Sequence, residues 1–329
     1  MIPSILPPSF QWVNRFRRYE GNPILRPSGN DYCADAIFNP GATVKDGRVH
    51  MICRCINFTN EAVSKKNWSV SNFGWAHSDD GFSFTMSPES IPEFTWTPDS
   101  PYQGGFEDPR LQKIGDTWIL TYTSVYPQPD GKFNAMTPGC AALSKDLIHW
   151  NLIGEILPGR AIAIIDHKIN GKYWAYWGNY GIYPAWSDDL IHWDFTQEPV
   201  LAPRPGLFDS QLCESAAAPI VNDDGILLIY NGSRCTEDAQ EMVRRITPNY
   251  IPCFTKAFYR VGWALFDPKE PLKVIARAEQ PFLQPERLYE FYGISDYTCF
   301  AQGLVNFKGK HILYYGCADM RIAAAYAEE

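Results

Sequence analysis

The chain has no run of about 18 consecutive apolar residues, the minimum for a membrane-spanning helix, so nothing in it reads as a transmembrane segment. Its start, Met1-Ile2-Pro3-Ser4-Ile5-Leu6-Pro7-Pro8, lacks the basic region and long apolar core of a secretory leader. Positive charge is scarce as well: 29 Lys and Arg against 37 Asp and Glu leave a net charge of −8. That balance argues against nucleic acid or an anionic membrane as a partner held by bulk attraction. Long helical periodicity is missing, and residues 236–249 are the one short helical candidate. The nine cysteines are odd in number and show no Cys-x-x-Cys spacing, which fits neither a zinc site nor a disulfide framework. They suit buried, reduced thiols and, with the missing leader, a cytoplasmic protein. No ligand spacing calls for a metal, and no cofactor is expected.

Apolar and aromatic residues are plentiful. Hydrophobic residues make up 45% of the chain and charged residues 20%, a composition that supports a well-buried globular core. Aromatics reach 15%, with 11 Trp and 18 Tyr, more than a core requires. Such side chains wall sugar sites as readily as they pack sheets.

Self-similarity organises the chain. Five segments, 46–54, 115–122, 170–178, 224–232 and 308–316, each run from a polar turn ending near Gly into a β-rich aromatic stretch. A second repeat interleaves with them: Ser144-Lys145-Asp146-Leu147-Ile148-His149-Trp150 returns as Ser187-Asp188-Asp189-Leu190-Ile191-His192-Trp193, with weaker echoes at 77–84 and 265–272. Five similar turn-strand units predict an all-β chain forming a five-bladed β-propeller, one domain over residues 1–329. A sandwich would supply many short strands without explaining that repeat. The first 20 residues read as an extension that packs on the outside or helps to close the ring.

The densest chemistry lies in Gly105-Phe106-Glu107-Asp108-Pro109-Arg110, just ahead of the β-run Trp118-Ile119-Leu120-Thr121-Tyr122-Thr123. Alone, this stretch reads equally well as an exposed turn in which Asp108 pairs with Arg110 for under ~1 kcal/mol. In a propeller, however, inner strands converge on one end of a channel. Polar residues near those strands are therefore site candidates: Asn39, Arg54, Asp108, His167, Lys168, Glu214, Asn231, Gln302 and Asp319. Arg54 alternates with Cys53 and Cys55, and a buried Arg without a partner is costly, which favours a site role. Glu107 and Arg110 read as an ion pair that orients Asp108, and Glu107 is also a candidate substrate contact. Tyr102, Trp177 and Tyr180 are candidate sugar platforms, whereas His149 and His192 in the repeated turn read as structural.

Phe38-Asn39-Pro40-Gly41, Gly105-Phe106-Glu107-Asp108-Pro109-Arg110, Leu228-Ile229-Tyr230-Asn231-Gly232 and Tyr314-Tyr315-Gly316-Cys317-Ala318-Asp319, in that order, resemble glycoside hydrolase family 130. That family holds mannoside phosphorylases and related β-mannosidases on a five-bladed propeller. The resemblance implies that Asp108 is the proton donor of an inverting reaction, acting through the sugar's own 3-hydroxyl. It also implies that Asn39, Arg54 and Asp319 hold the mannose in the −1 subsite. The chain departs from the family's phosphorylases where a His-Arg pair and a later His would bind phosphate, since Trp177-Gly178-Asn179 and Asn231 stand there. Losing those cations would empty a phosphate pocket. Glu214 in Phe208-Asp209-Ser210-Gln211-Leu212-Cys213-Glu214 resembles the hydrolytic branch, as a base for water. Gln302 stands where hydrolytic relatives carry a second Glu, and an amide cannot accept the proton.

These readings predict an inverting hydrolase that releases mannose from β-1,2-linked manno-oligosaccharides, with Asp108 as acid, Glu214 as base and Gln302 as a third catalytic position. Two alternatives stay open. One is a phosphorylase forming mannose 1-phosphate, its phosphate held by Lys168, His167 or Arg234. The other is a silent glycan-binding propeller, which Gln302 keeps in play.

Overall fold

A computed structural model describes residues 2–29, 31–58, 70–97, 104–126, 137–235 and 257–329. Tyr102 and the helix expected over 236–249 lie outside the described residues. The chain is a single, mostly β domain with 52% strand and 6% helix.

After β1 (Arg17–Arg18), the strands follow in five antiparallel meanders. The first is β2 (Ala36–Lys45), β3 (Arg48–Ile56), β4 (Ser71–Ser78) and β5 (Thr85–Ser90). The second is β6 (Gly105–Ile114), β7 (Thr117–Val125), β8 (Gly139–Ser144) and β9 (Asn151–Leu157), joined to the first along the sheet by a parallel bridge between Ser71 and Gly105. The third is β10 (Ala163–Ile164), β11 (Tyr173–Trp177), β12 (Tyr183–Ser187) and β13 (Trp193–Phe195). In the fourth, β14 (Leu212–Ser215) and β15 (Ile220–Asn222) both pair with β16 (Gly225–Cys235), followed by β17 (Ala257–Phe266) and β18 (Val274–Arg277). The fifth is β19 (Cys299–Phe307), β20 (Lys310–Cys317) and β21 (Arg321–Glu328), to which β1 adds an outer strand through Arg17 opposite Tyr326.

The first repeat falls on the second-strand hairpins. Asp46-Gly47, Asn170-Gly171 and Lys308-Gly309 all have positive φ at both residues, the backbone of the two-residue turn that matches strand twist. The second repeat is a side-chain turn. Ser144 Oγ accepts from the Leu147 amide at 2.9 Å, and Asp146 Oδ1 accepts from Ile148 and His149 at 2.8 and 2.9 Å. Ser187 and Asp189 do the same for Leu190, Ile191 and His192, and Ser78 and Asp80 for Gly81, Phe82 and Ser83. His149 and His192 are exposed and bond only the Asp of their own turn, at 2.8 Å in each case, as a structural role requires.

Because strand side chains alternate, each second strand feeds two cores. Met51 and Cys53 pack with Ile312 and Tyr314 of the fifth meander, while Ile52 joins Phe106 and Leu120 of the second. Ile119 meets Ile164 and Ala175 of the third, and Tyr176 meets Leu228 and Tyr230 of the fourth. Ile229 in turn packs with Leu313 and Tyr315. Each meander thus shares a core with the next, and the fifth shares one with the first. The N-terminal segment adds Phe10, Trp12 and Val13 to the core between the third and fourth meanders.

Innermost strands β19, β2 and β6 lie side by side. A Cβ on Gly41 would stand 2.8 Å from Pro109 O, and one on Gly303 would stand 2.8 Å from Pro40 O. Only glycine permits approaches this close.

Candidate active site

Each of these three strands bulges near its middle, between Phe38 and Gly41, between Glu107 and Arg110, and between Ala301 and Gly303. A bulge turns a side chain away from the regular alternation. In the first two it carries a polar residue with left-handed backbone ahead of a proline: Asn39 at φ 44° and Asp108 at φ 52°. Non-glycine residues in that region cost about 1–3 kcal/mol each and persist only where their surroundings hold them.

Asn39 and Asp108 face a cavity of about 190 Å³ that also receives Arg54, Glu107, Glu214 and Asp319. The structure therefore brings these six sequence candidates together. Asn39 Nδ2 donates to Asp108 Oδ1 at 2.9 Å, and Arg54 Nη1 donates to the same oxygen at 3.2 Å. Arg54 also donates to Ser71 Oγ at 2.8 Å and to Glu107 at 2.5 Å.

The remaining candidates stand elsewhere. His167 and Lys168 are exposed beyond the far end of β10, where His167 bonds Asp166 and Lys168 lies over the Tyr173 ring. Asn231 is fully buried outside this cavity, with both ends of its amide bonded to the Ala301 backbone, at 2.9 and 2.8 Å. Gln302 is buried but belongs to a different cavity. Trp177 packs against Tyr183 and Phe195, and Tyr180 is 69% exposed, so neither walls the site.

Arg110 does not pair with Glu107. It reaches the fourth meander, donating to Ser215 O at 2.6 Å, Ala216 O at 2.8 Å and Glu214 Oε1 at 3.4 Å, and to Asp108 O at 3.0 Å on its own strand. The solvent-exposed Asp108–Arg110 turn is likewise ruled out, since both residues are buried. Glu214 is held by this arginine, while Asp209, a fully buried acid ahead of β14, is held by Arg204, Arg277 and Tyr230.

The cavity also contains residues that sequence reading missed: Arg160, Asn179, Tyr259 and Phe300. Arg160 contacts Asp108 Oδ2 and donates to Glu107 Oε2 at 2.9 Å. Its Nε is buried without a partner among the described residues. Arg160 lies in the loop ahead of β10, whereas His167 and Lys168 follow that strand, and no sequence period marks the loop.

Burial and charge separate the carboxyls. Burial alone would raise Asp108, but Arg160, Arg54 and the Asn39 amide hold it well below the usual carboxylate range. For Glu214 burial wins over Arg160 and Arg110, and its carboxyl is raised toward the neutral form. Burial pushes Asp319 up to about 7 despite Arg54. A buried set with ionisations forced apart in this way is a signature of acid–base chemistry.

Asp319 makes a stability prediction. Its folded value lies above the unfolded one of 3.8, so the folded chain holds the extra proton between them. That contribution is complete below about pH 4 and is lost as pH rises through about 7. Thermal unfolding from pH 4 to 8 should show Asp319→Asn gaining stability relative to the parent as pH rises; a constant offset would contradict the shift.

The chain has relatives among known proteins. A family model for glycoside hydrolase family 130, described as beta-1,4-mannooligosaccharide phosphorylase, matches residues 7–329. The chain belongs to glycoside hydrolase family 130. A 1,2-beta-oligomannan phosphorylase of Thermoanaerobacter sp. (strain X514) is 31% identical over 95% of this chain and 97% of its own. A beta-1,2-mannobiose phosphorylase of the same organism is 30% identical over 96% and 98%. A solved structure from work describing glycoside hydrolases that target beta-1,2 mannosidic linkages within this family of mannoside phosphorylases has a TM-score of 0.81. It is 27% identical and covers 99% of both chains.

These relatives correct the hydrolytic expectation. These two curated relatives are phosphorylases, so missing cations after the third and fourth repeat strands do not exclude phosphate. The cavity does hold a cation beside Asp108 that those two positions do not supply, Arg160, which arrives from the loop ahead of β10.

Proposed function

We propose that this protein is an inverting phosphorylase of β-1,2-linked manno-oligosaccharides, and that its five meanders are the blades of a five-bladed propeller. The cyclic sharing of cores from first meander to fifth and back to first supports the propeller. The observation that carries the activity is Arg160, a half-buried guanidinium beside Asp108 whose Nε is buried and has no partner among the described residues. An oxyanion nucleophile needs charge-assisted donors, and a planar guanidinium is well suited to a phosphate dianion.

In this reading Asn39, Arg54 and Asp319 hold the terminal mannose, with Tyr259 and Phe300 as apolar wall. A phosphate oxygen attacks C1 from the face opposite the leaving group. The C1–O glycosidic bond breaks, its electrons go to the leaving oxygen, and that oxygen takes the 3-hydroxyl proton as Asp108 replaces it. The products are α-mannose 1-phosphate and a shortened oligosaccharide. Burial raises the Glu214 carboxyl, the direction that lessens its opposition to an incoming anion.

Arg160 also explains why an acid so strongly ionised in the free enzyme is suited to the task. Phosphate competes with Asp108 and Glu107 for this guanidinium. Drawing it away removes the foremost attraction holding Asp108 ionised, so the acid takes up its proton when the nucleophile is in place. Incubation with β-1,2-mannobiose should give mannose 1-phosphate in step with phosphate consumed, read by phosphorus NMR. Release of free mannose at a rate indifferent to phosphate would overturn the reading.

A further inference from the structure

Gln302 sits in the bulge of β19 and is 1% exposed. It is absent from the cavity that holds Asp108 and lines a separate one of about 310 Å³ with Leu111, Gln112 and Leu304. Its Nε2 donates to Asn39 O at 3.1 Å and to Pro109 O at 2.6 Å. Both partners are carbonyls, so the amide orientation is dictated: the NH₂ must face them. These carbonyls lie in the two bulges that present Asn39 and Asp108, where prolines 40 and 109 have no N–H to give to a ladder. One side chain on β19 therefore ties the irregular backbone of β2 to that of β6.

Its own footing is fixed. Asn231 engages both backbone groups of Ala301, the residue before it. Gly303, the residue after it, lets β19 close on Pro40, and Gly41 lets β2 close on Pro109. The chain of contact continues to the carboxylate through Asn39 Nδ2, 2.9 Å from Asp108 Oδ1.

We propose that Gln302 is a positioning residue: by holding the Asn39 and Pro109 carbonyls together it sets where Asn39 and the Asp108 carboxylate stand. This rests on Asp108 being the acid of the proposed reaction. Gln302 is then no disabled base. An ionised glutamate there would face two carbonyl oxygens with no hydrogen to give, so the amide is what the site requires.

The test measures kcat and KM for β-1,2-mannobiose and for phosphate in Gln302→Met and Gln302→Glu, alone and combined with Asn39→Ala. Misplacement by a fraction of an ångström is expected to lower kcat ~10- to 100-fold in both single variants, with each KM within about threefold. In the Asn39→Ala background, Gln302→Met should cost less than about threefold more, because both changes act on the same carboxylate. A packing role would add in full and leave the cycle flat. Wild-type kcat in Gln302→Met, full additivity with Asn39→Ala, or a gain of hydrolysis in Gln302→Glu overturns the proposal. If Gln302→Met does not fold, Gln302→His, which keeps one donor, is put through the same cycle with the same criteria. A parent enzyme that used water in place of phosphate would sink the proposed activity, while the ratio of variant to parent would still judge Gln302.

Discussion

Asp108→Asn should lower phosphorolysis of β-1,2-mannobiose by at least ~100-fold, since a positioned proton donor contributes 10²–10⁴ in rate. The chain should stay folded. The amide keeps an oxygen for the donors of Asn39 and Arg54, which reach Oδ1 at 2.9 and 3.2 Å. Its NH₂ would then face Arg160, now without its Asp108 partner. Phosphate affinity, measured by calorimetry, should therefore hold or improve while kcat collapses. The split separates loss of the acid from loss of the pocket. A variant that turns over at near-parent rate would take Asp108 out of the mechanism, and one that loses both kcat and phosphate binding would mean that the carboxylate is mainly a strut for the arginines.

The fold was legible where its chemistry is local. A polar residue followed by Gly specifies a two-residue hairpin turn, and Ser-x-Asp specifies a side-chain turn, so both repeats could be counted without tertiary information. The site was legible where an unusual residue interrupts an apolar strand, as Arg54 does between Cys53 and Cys55. It was obscured at the bulges. Regular alternation predicts which face a side chain takes, but a bulge resets it, so nothing local says that Gln302 turns from the pocket while Asp108 turns into it. Asn231 misled for a related reason: a buried amide serves a neighbouring backbone as well as it serves a sugar. Arg160 was missed because loops carry no period, and only the fold shows that a residue ahead of the short strand β10 lies beside Asp108.

Arg160→Gln tests the nucleophile's site and should have the other large effect. Replacing the guanidinium leaves one neutral amide to hold a dianion, and removing such an electrostatic partner typically costs ~10²–10³ in rate. kcat/KM for phosphate should fall by that order while KM for mannobiose changes much less, since in the proposed reading Asn39, Arg54 and Asp319 carry the sugar. Arg160→Lys should recover only part of the loss, because an ammonium keeps the charge without the paired planar donors. The backbone should hold, because Arg160 O accepts from the Gly178 amide at 2.8 Å whatever the side chain is. The variant also reports on the acid. Arg160 is the foremost attraction keeping Asp108 ionised in the free enzyme, so its removal should raise the Asp108 value and move the alkaline limb of kcat/KM for mannobiose to higher pH. An unchanged phosphate KM would remove Arg160 from the phosphate site. A normal pH profile alongside a weakened phosphate site would leave the arginine as a binding group and break the proposed link between phosphate arrival and proton uptake.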